Sequence, residues 1–223
     1  MSLINRESRT ANPIRFPSNV EPSRLPDFRT SGLPDSRYTS PMPARLGILL
    51  SGSGTTYQNL VDCIANGSLP AEIVVVVASR SSAFGLERAK QLGHPCVVAK
   101  DPTAALRAHR AEYVAMCGWM SYWDPPSEFR GRTVNVHPSL LPAFGGKGMY
   151  GHHVHEAVLK HGCKITGCTV HLVSGGYDTG PILDQTAVRV HDGDTPESLA
   201  IRVQDAEREI YPKAIASLIS SKR

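Results

Sequence analysis

From residue 45 onward, short apolar runs alternate with stretches whose apolar residues recur at helical spacing. RLGILL (45–50) predicts a buried strand, followed by the glycine turn SGSGTT and a helix from about Tyr57 to Ala65. AEIVVVVAS (71–79) predicts a second strand, and its four consecutive valines suit a position covered on both faces of a parallel sheet. AFGLERAKQLG predicts a helix ending on Gly93. PCVVA and EYVAMCGWM predict two strands joined by only a short segment, and RTVNV predicts the next. Strand and helix in alternation imply a parallel, doubly wound sheet.

Past residue 150 the pattern changes. A helix near 153–161 precedes CKITGCTVHLVS and PILDQTAVRVH, whose β-branched alternation suits an antiparallel pair. In the last segment Thr195 is the expected N-cap, Pro196 takes the first helical position and Glu197 lies in the first turn. The stripe Leu199, Val203, Ala206, Ile210, Ala214, Leu218 predicts a long helix packed along the sheet, with a kink at Pro212. The expected class is α/β: an open, doubly wound, mostly parallel sheet of Rossmann-like kind, with an antiparallel C-terminal part and a long C-terminal helix.

Composition changes this picture only at the start of the chain. Residues 1–45 hold seven of the 17 prolines and no apolar period, so residues 1–44 are expected to be a disordered or extended leader and 45–223 the single domain. Seven arginines against four acids in 1–45 supply +3 of the net +4, which leaves the body near +1 and argues against a nucleic-acid groove. The leader lacks the apolar core of a secretory signal and is too acidic for a transit peptide. No apolar run reaches the roughly 18 residues of a membrane span. Five scattered cysteines without a C-x-x-C suggest reduced thiols in a cytoplasmic protein.

Four constellations carry chemistry. Gly52 and Gly54, with Ser51, Ser53, Thr55 and Thr56, read either as a phosphate cradle at a helix N-terminus or as a plain tight turn. In TVNVHPSLLP, strand alternation sends Asn135 and His137 to one side and Pro138 ends the pairing. Such a pair serves either as a ligand ledge or as the partner of a buried backbone group. SGGYDTG (174–180) is either a mobile turn aiming Asp178 at a partner or a hairpin loop. HHVH (152–155), with His171, lacks an established metal spacing and reads as solvent-facing or loop-ordering histidines.

NVHPSLLP followed by DTGPIL resembles the formyltransferase superfamily that uses 10-formyltetrahydrofolate. SGSGTT, SAFGLERAKQLG, CGWM, HEAVLKHG, GCTVHLV and RVQDAEREIYP extend the resemblance from about Leu46 to Ile215. The RVQ helix and the glycine turn point to the glycinamide branch. The resemblance implies formyl transfer from 10-formyltetrahydrofolate, as cosubstrate and without a metal, to the amine of 5'-phosphoribosylglycinamide in purine biosynthesis. It also implies a monomer or homodimer with small-molecule substrates, no nucleic acid and no membrane. Asn135, His137 and Asp178 become the catalytic trio, with Asp178 expected to raise the His137 pKa. Gly54, Thr55 and Thr56 would hold the acceptor with Gln204 and Glu207. Trp119, Met120, Ser121, Tyr122 and Trp123, with Asn135 and the loop Ser174, Gly175, Gly176, Tyr177 and Asp178, would hold folate. Arg107 stands for an arginine that holds folate elsewhere in the family.

The sequence departs from that family at Thr55-Thr56, where Ser-Asn is usual, and at Ser121, where Arg is common. The rival readings are a related folate-dependent formyltransferase, a formyltetrahydrofolate deformylase, or a non-catalytic folate- or nucleotide-binding module. A deformylase is expected to carry a larger N-terminal domain, and a tRNA-directed enzyme a further basic C-terminal one.

Overall fold

The computed structural model describes residues 42–222, so the expected leader falls almost wholly outside the described residues. Seven strands form one sheet: β1 (Ala44–Leu50), β2 (Ala71–Ala78), β3 (Cys96–Val98), β4 (Tyr113–Met116), β5 (Thr133–His137), β6 (Ile165–Leu172) and β7 (Ile182–Arg189). The helices are α1 (Thr55–Ala65), α2 (Gly85–Gln91), α3 (Thr103–Ala108), α4 (His152–Lys160) and α5 (Pro196–Ser221). Sheet order is β3-β2-β1-β4-β5-β6-β7. Strands β1 to β5 pair in parallel, whereas β5–β6 and β6–β7 are antiparallel, as expected from the sequence.

Strand order reverses between β1 and β4, and the loops after these two strands open a crevice at their C-terminal ends. One face of the sheet packs on α1, α2, α4 and α5, with Leu46, Ile48, Leu50 and Val76 beneath them. The other carries Leu49, Val75 and Val77 against Leu106 of α3 and against Trp123 and Phe129. The valine run thus serves both faces, and its pairing with β1 skips Val74, a bulge that puts Val74 and Val75 into the same core.

One expectation is corrected. Between β3 and β4 the chain forms α3 rather than a bare link. Asp101 Oδ1 accepts the Thr103 N–H at 2.9 Å, which starts the turn, and Leu106 is fully buried. Such a six-residue helix is too short to show a helical period.

Helix α5 begins with a reciprocal capping box between Thr195 and Ser198 and is assigned as one helix through the buried Pro212. Its Tyr211 is fully buried, and its hydroxyl lies 2.9 Å from the Met116 carbonyl and 3.1 Å from that of Val134. One O–H is shared between β4 and β5 just below the crevice. Tyr211→Phe should therefore lower stability by about 1–2 kcal/mol in urea unfolding, the usual effect of removing one partner of a buried hydrogen bond; an unchanged midpoint and slope would contradict this role.

Candidate active site

Antiparallel register between β5 and β6 sets the site. Asn135 lies opposite His171, and His137 opposite Thr169. Asn135 Nδ2 is 3.2 Å from His171 Nε2. Beyond His137 the chain turns through Pro138, and three contacts of the buried Thr169 hydroxyl pin that turn. It donates to the Ser139 carbonyl at 2.7 Å and accepts from Leu141 N–H at 3.0 Å and from Gln185 Nε2 at 2.9 Å. The turn returns Phe144, whose carbonyl lies 2.8 Å from His137 Nε2. A carbonyl only accepts, so Nε2 carries the proton and Nδ1 is left facing Asp178 Oδ2 at 3.5 Å. Asn135, His137 and Asp178, expected from the sequence to act together, thus lie in one group at the C-terminal end of β5, Asn135 joined to it through His171.

Asp178 holds more than one partner. Oδ2 accepts the Gly146 N–H at 3.0 Å, while Oδ1 lies 3.5 Å from His171 Nε2. His171 Nδ1 is 3.0 Å from the Leu172 carbonyl and donates to it, so a neutral ring has Nε2 free to accept from Asn135. His171 is 2% exposed and completes the group. Sequence reasoning considered it only for a metal, because its place beside Asn135 depends on strand register.

The charges correct one expectation. Burial pushes the His137 pKa below its ordinary value; Asp178 and the Phe144 carbonyl pull it up, and His171 pushes it down. The carboxylate does raise it, but desolvation of the imidazolium is larger. For Asp178, burial raises the pKa, yet the attraction of the two rings when they carry a second proton, together with the Gly146 N–H, outweighs burial and holds it below the usual range. Neutral His137 beside an ionised carboxylate is a base whose conjugate acid already has a counter-ion.

Two clefts flank this end of the sheet. One, of about 370 Å³, is lined by Leu141, Pro142, Gly145, Gly146, Tyr177, Asp178, Thr179, Gly180 and Ile182, and lies within the size range of small-molecule sites. The loops predicted to hold folate meet each other nearby. Tyr122 and Tyr177 stand with ring centroids 5.4 Å apart, the Tyr122 hydroxyl donates to the Gly175 carbonyl at 3.3 Å, and Gly175 N–H donates to Asp124 at 3.3 Å. Within the loop, Thr179 Oγ1 and Gly176 N–H both donate to the Ser174 carbonyl. Trp119 keeps a buried indole N–H without a partner, a donor suited to a ligand acceptor. Met120 is half-exposed and Ser121 partly so.

Two of the predicted folate residues stand outside this group. Trp123 is buried, donates to Thr103 Oγ1 at 3.0 Å and packs on Phe129, so it belongs to the core. Arg107 lies on α3 with its guanidinium held by Glu128.

The second cleft is far smaller, about 20 Å³, and lies between the start of α1 and the middle of α5, lined by Thr55, Thr56, Asn59, Gln204, Glu207 and Arg208. Four of the five residues predicted for the acceptor line it. The fifth, Gly54, is the N-cap of α1 with φ 75, and a Cβ there would meet the Gly85 Cα at 2.8 Å. Ser51 does not join them. It is 1% exposed; its hydroxyl takes the Met120 N–H at 2.8 Å and a bond from Ser79 at 2.6 Å, tying the ends of β1, β2 and β4. The histidines of 152–155 also divide. His152 and His153 are exposed beside Glu156, but His155 is 3% exposed, with its pKa pushed down by burial, His152 and His137. Among the described residues no group of three or more His, Cys, Asp or Glu is placed to hold a metal.

An open α/β sheet with a His–carboxylate–His group at the C-terminal end of its strands, beside a cleft, has the form of an α/β enzyme's active site. The chain belongs to the formyl transferase family, whose model matches residues 44–215. It is 34% identical over 199 residues to the chloroplastic phosphoribosylglycinamide formyltransferase of Arabidopsis thaliana, covering 82% of this chain and 68% of that one. To a trifunctional purine biosynthetic protein of Drosophila pseudoobscura pseudoobscura it is 36% identical over 210 residues, 87% of this chain but only 15% of that protein's length. The crystal structure of glycinamide ribonucleotide transformylase 1 from Symbiobacterium toebii superposes with a TM-score of 0.75 at 38% identity, covering 82% of this chain and 91% of that one.

Two titrations check the electrostatics. Asp178→Asn removes the charge that raises His137, so the His137 pKa, followed by NMR, should fall further below its wild-type value; a rise would refute the assigned coupling. Burial pushes the Glu207 carboxyl up to about 7, against the pull of Arg208. The folded protein then keeps a proton that the unfolded chain releases near 4.5, so this group's contribution to stability falls as pH rises from 4.5 to about 7. Glu207→Gln should gain up to about 3 kcal/mol on wild type between about pH 4 and about pH 8, measured by urea unfolding at both.

Proposed function

We propose that this protein transfers the formyl group of 10-formyltetrahydrofolate to the amine of 5'-phosphoribosylglycinamide, a step of purine biosynthesis. The convergence of Asn135, His137, His171 and Asp178 carries this reading. Family membership and the names of the relatives supply the substrates. Five cysteines without a disulfide suit a reducing cytoplasm.

In the reaction an amine attacks a formyl carbon, the bond from that carbon to the folate nitrogen breaks, and the amine proton ends on that nitrogen. His137 moves the proton. Its Nε2–H is fixed on Phe144, so Nδ1 is the atom that accepts and returns it, and Asp178 balances the charge in between. Asn135 has two amide hydrogens; one faces His171, and the other is available to the formyl oxygen as negative charge grows there. His171 orients Asn135 and shares the carboxylate. The cleft beside Asp178, which Tyr177 lines, is of a size that suits the folate, and the residues expected to hold the phosphoribosyl end gather at the smaller cleft of α1 and α5.

Purified protein mixed with both substrates should give the absorbance change of deformylated folate and a formylated acceptor. Turnover without acceptor would indicate a deformylase, and none at all a binding module. His137→Ala should lose at least ~10²-fold in kcat, the usual scale for removing an acid–base group.

A further inference from the structure

Strand register lays His137 of β5, Thr169 of β6 and Gln185 of β7 in one row across the sheet. Gln185 is an exposed residue of the outermost strand, yet its amide reaches inward. Nε2 lies 2.9 Å from Thr169 Oγ1 and 3.1 Å from the Leu141 carbonyl. A carbonyl only accepts, so the amide turns its nitrogen to this pair and commits both hydrogens there. The Thr169 hydroxyl is then saturated. Its one hydrogen goes to the Ser139 carbonyl, and its two lone pairs take the Leu141 N–H and the Gln185 amide. Leu141 is held at its N–H and at its carbonyl.

This row carries the turn that follows His137. The Ser139 hydroxyl donates to the Ala143 carbonyl at 2.6 Å, and the next carbonyl, that of Phe144, lies 2.8 Å from His137 Nε2. Phe144 has φ 54, a conformation that a bulky residue keeps only where its surroundings impose it.

Two acceptors compete for the one ring proton of neutral His137. The Phe144 carbonyl favours it on Nε2, and the Asp178 carboxylate, 3.5 Å from Nδ1, favours it on Nδ1. A carboxylate is the stronger acceptor, so the shorter contact to Phe144 prevails only while the turn keeps that carbonyl in place. A proton on Nδ1 would occupy the atom that has to receive the one from the amine.

We propose that Gln185 is a positioning residue for the transfer: by fixing Leu141 and Thr169 it keeps the Phe144 carbonyl on Nε2 and so keeps Nδ1 of His137 free to accept a proton. The inference rests on the proposed function, in which Nδ1 moves the proton. Gln185 touches no reacting atom and acts through the turn.

Two variants test it. Gln185→Met keeps the length of the side chain and removes both donors, whereas Gln185→Glu keeps the shape and sets a carboxylate against the Leu141 carbonyl. In each, kcat should fall at least about tenfold, with KM for both substrates within about threefold of wild type. Nitrogen NMR of isotope-labelled histidine at about pH 8, with the His137 signals assigned by their loss in His137→Ala, reads the tautomer without turnover. Wild type should show the proton on Nε2, and both variants a population with it on Nδ1. A wild-type proton on Nδ1, an unchanged tautomer in the variants, or a kcat within about threefold of wild type each overturns the proposal. A fall in kcat with the tautomer unmoved would mark a structural role only. A wild type whose tautomer depends on Gln185 yet which formylates no acceptor would sink the formyl-transfer reading and leave this placement of the His137 proton standing.

Discussion

The Asp178 carboxylate is the constraint from which the site follows. A largely buried carboxylate keeps its charge only where polar groups meet it: Gly146 N–H donates to Asp178, and His137 and His171 each stand 3.5 Å from it, placed to pair with it once protonated. Each imidazole has its other nitrogen committed to a main-chain carbonyl, Phe144 for His137 and Leu172 for His171. Neither ring can turn away without leaving a buried polar atom unpaired. Both therefore present a nitrogen to one carboxylate, and a proton arriving at either finds its counter-ion in place.

Strand pairing gives this arrangement its accuracy. Asn135 and His171 face one another because β5 and β6 pair in one register; a slip of one residue would send both to the opposite face. Thr169 holds the turn after His137 through three contacts, and Tyr211 ties α5 to the two strands below the crevice. Asn135, His137 and His171 are thus carried by ladder ends, and Asp178 by the loop between β6 and β7. At the glycine turn the duties are divided among neighbours. Ser51 spends its hydroxyl on joining three strands, while Thr55 and Thr56, a few residues on, keep theirs at a cleft.

Sequence shows those parts whose physics is local. The valine run, the capped start of α5 and the alternation of 163–174 predict their elements because burial and capping act over a few residues. The trio was legible through motif resemblance, which carries three-dimensional information that periodicity lacks. What escaped depends on pairing between distant segments. His171 acquires its place from Asn135 across the sheet, and Gln185 from Leu141, 44 residues earlier. The sign of the His137 shift escaped for a related reason. Sequence names the carboxylate that raises it but not the depth of burial that lowers it further.

Two left-handed residues show where local stability is given up for this geometry. Phe144 has φ 54 and Asp178 φ 56, and for a bulky residue such as Phe144 that conformation costs roughly 1–2 kcal/mol. At Phe144 it turns the carbonyl back onto His137, and at Asp178 it aims the carboxylate inward. The two loops approach so closely that Gly145 has no room for a side chain: a Cβ would lie 2.5 Å from Leu141 Cδ2 and 3.4 Å from Asp178 Cβ. The strained turns persist because each closes onto the other through Gly146 and because Thr169 anchors the base of the first, so strain and hydrogen bonds are satisfied together or lost together.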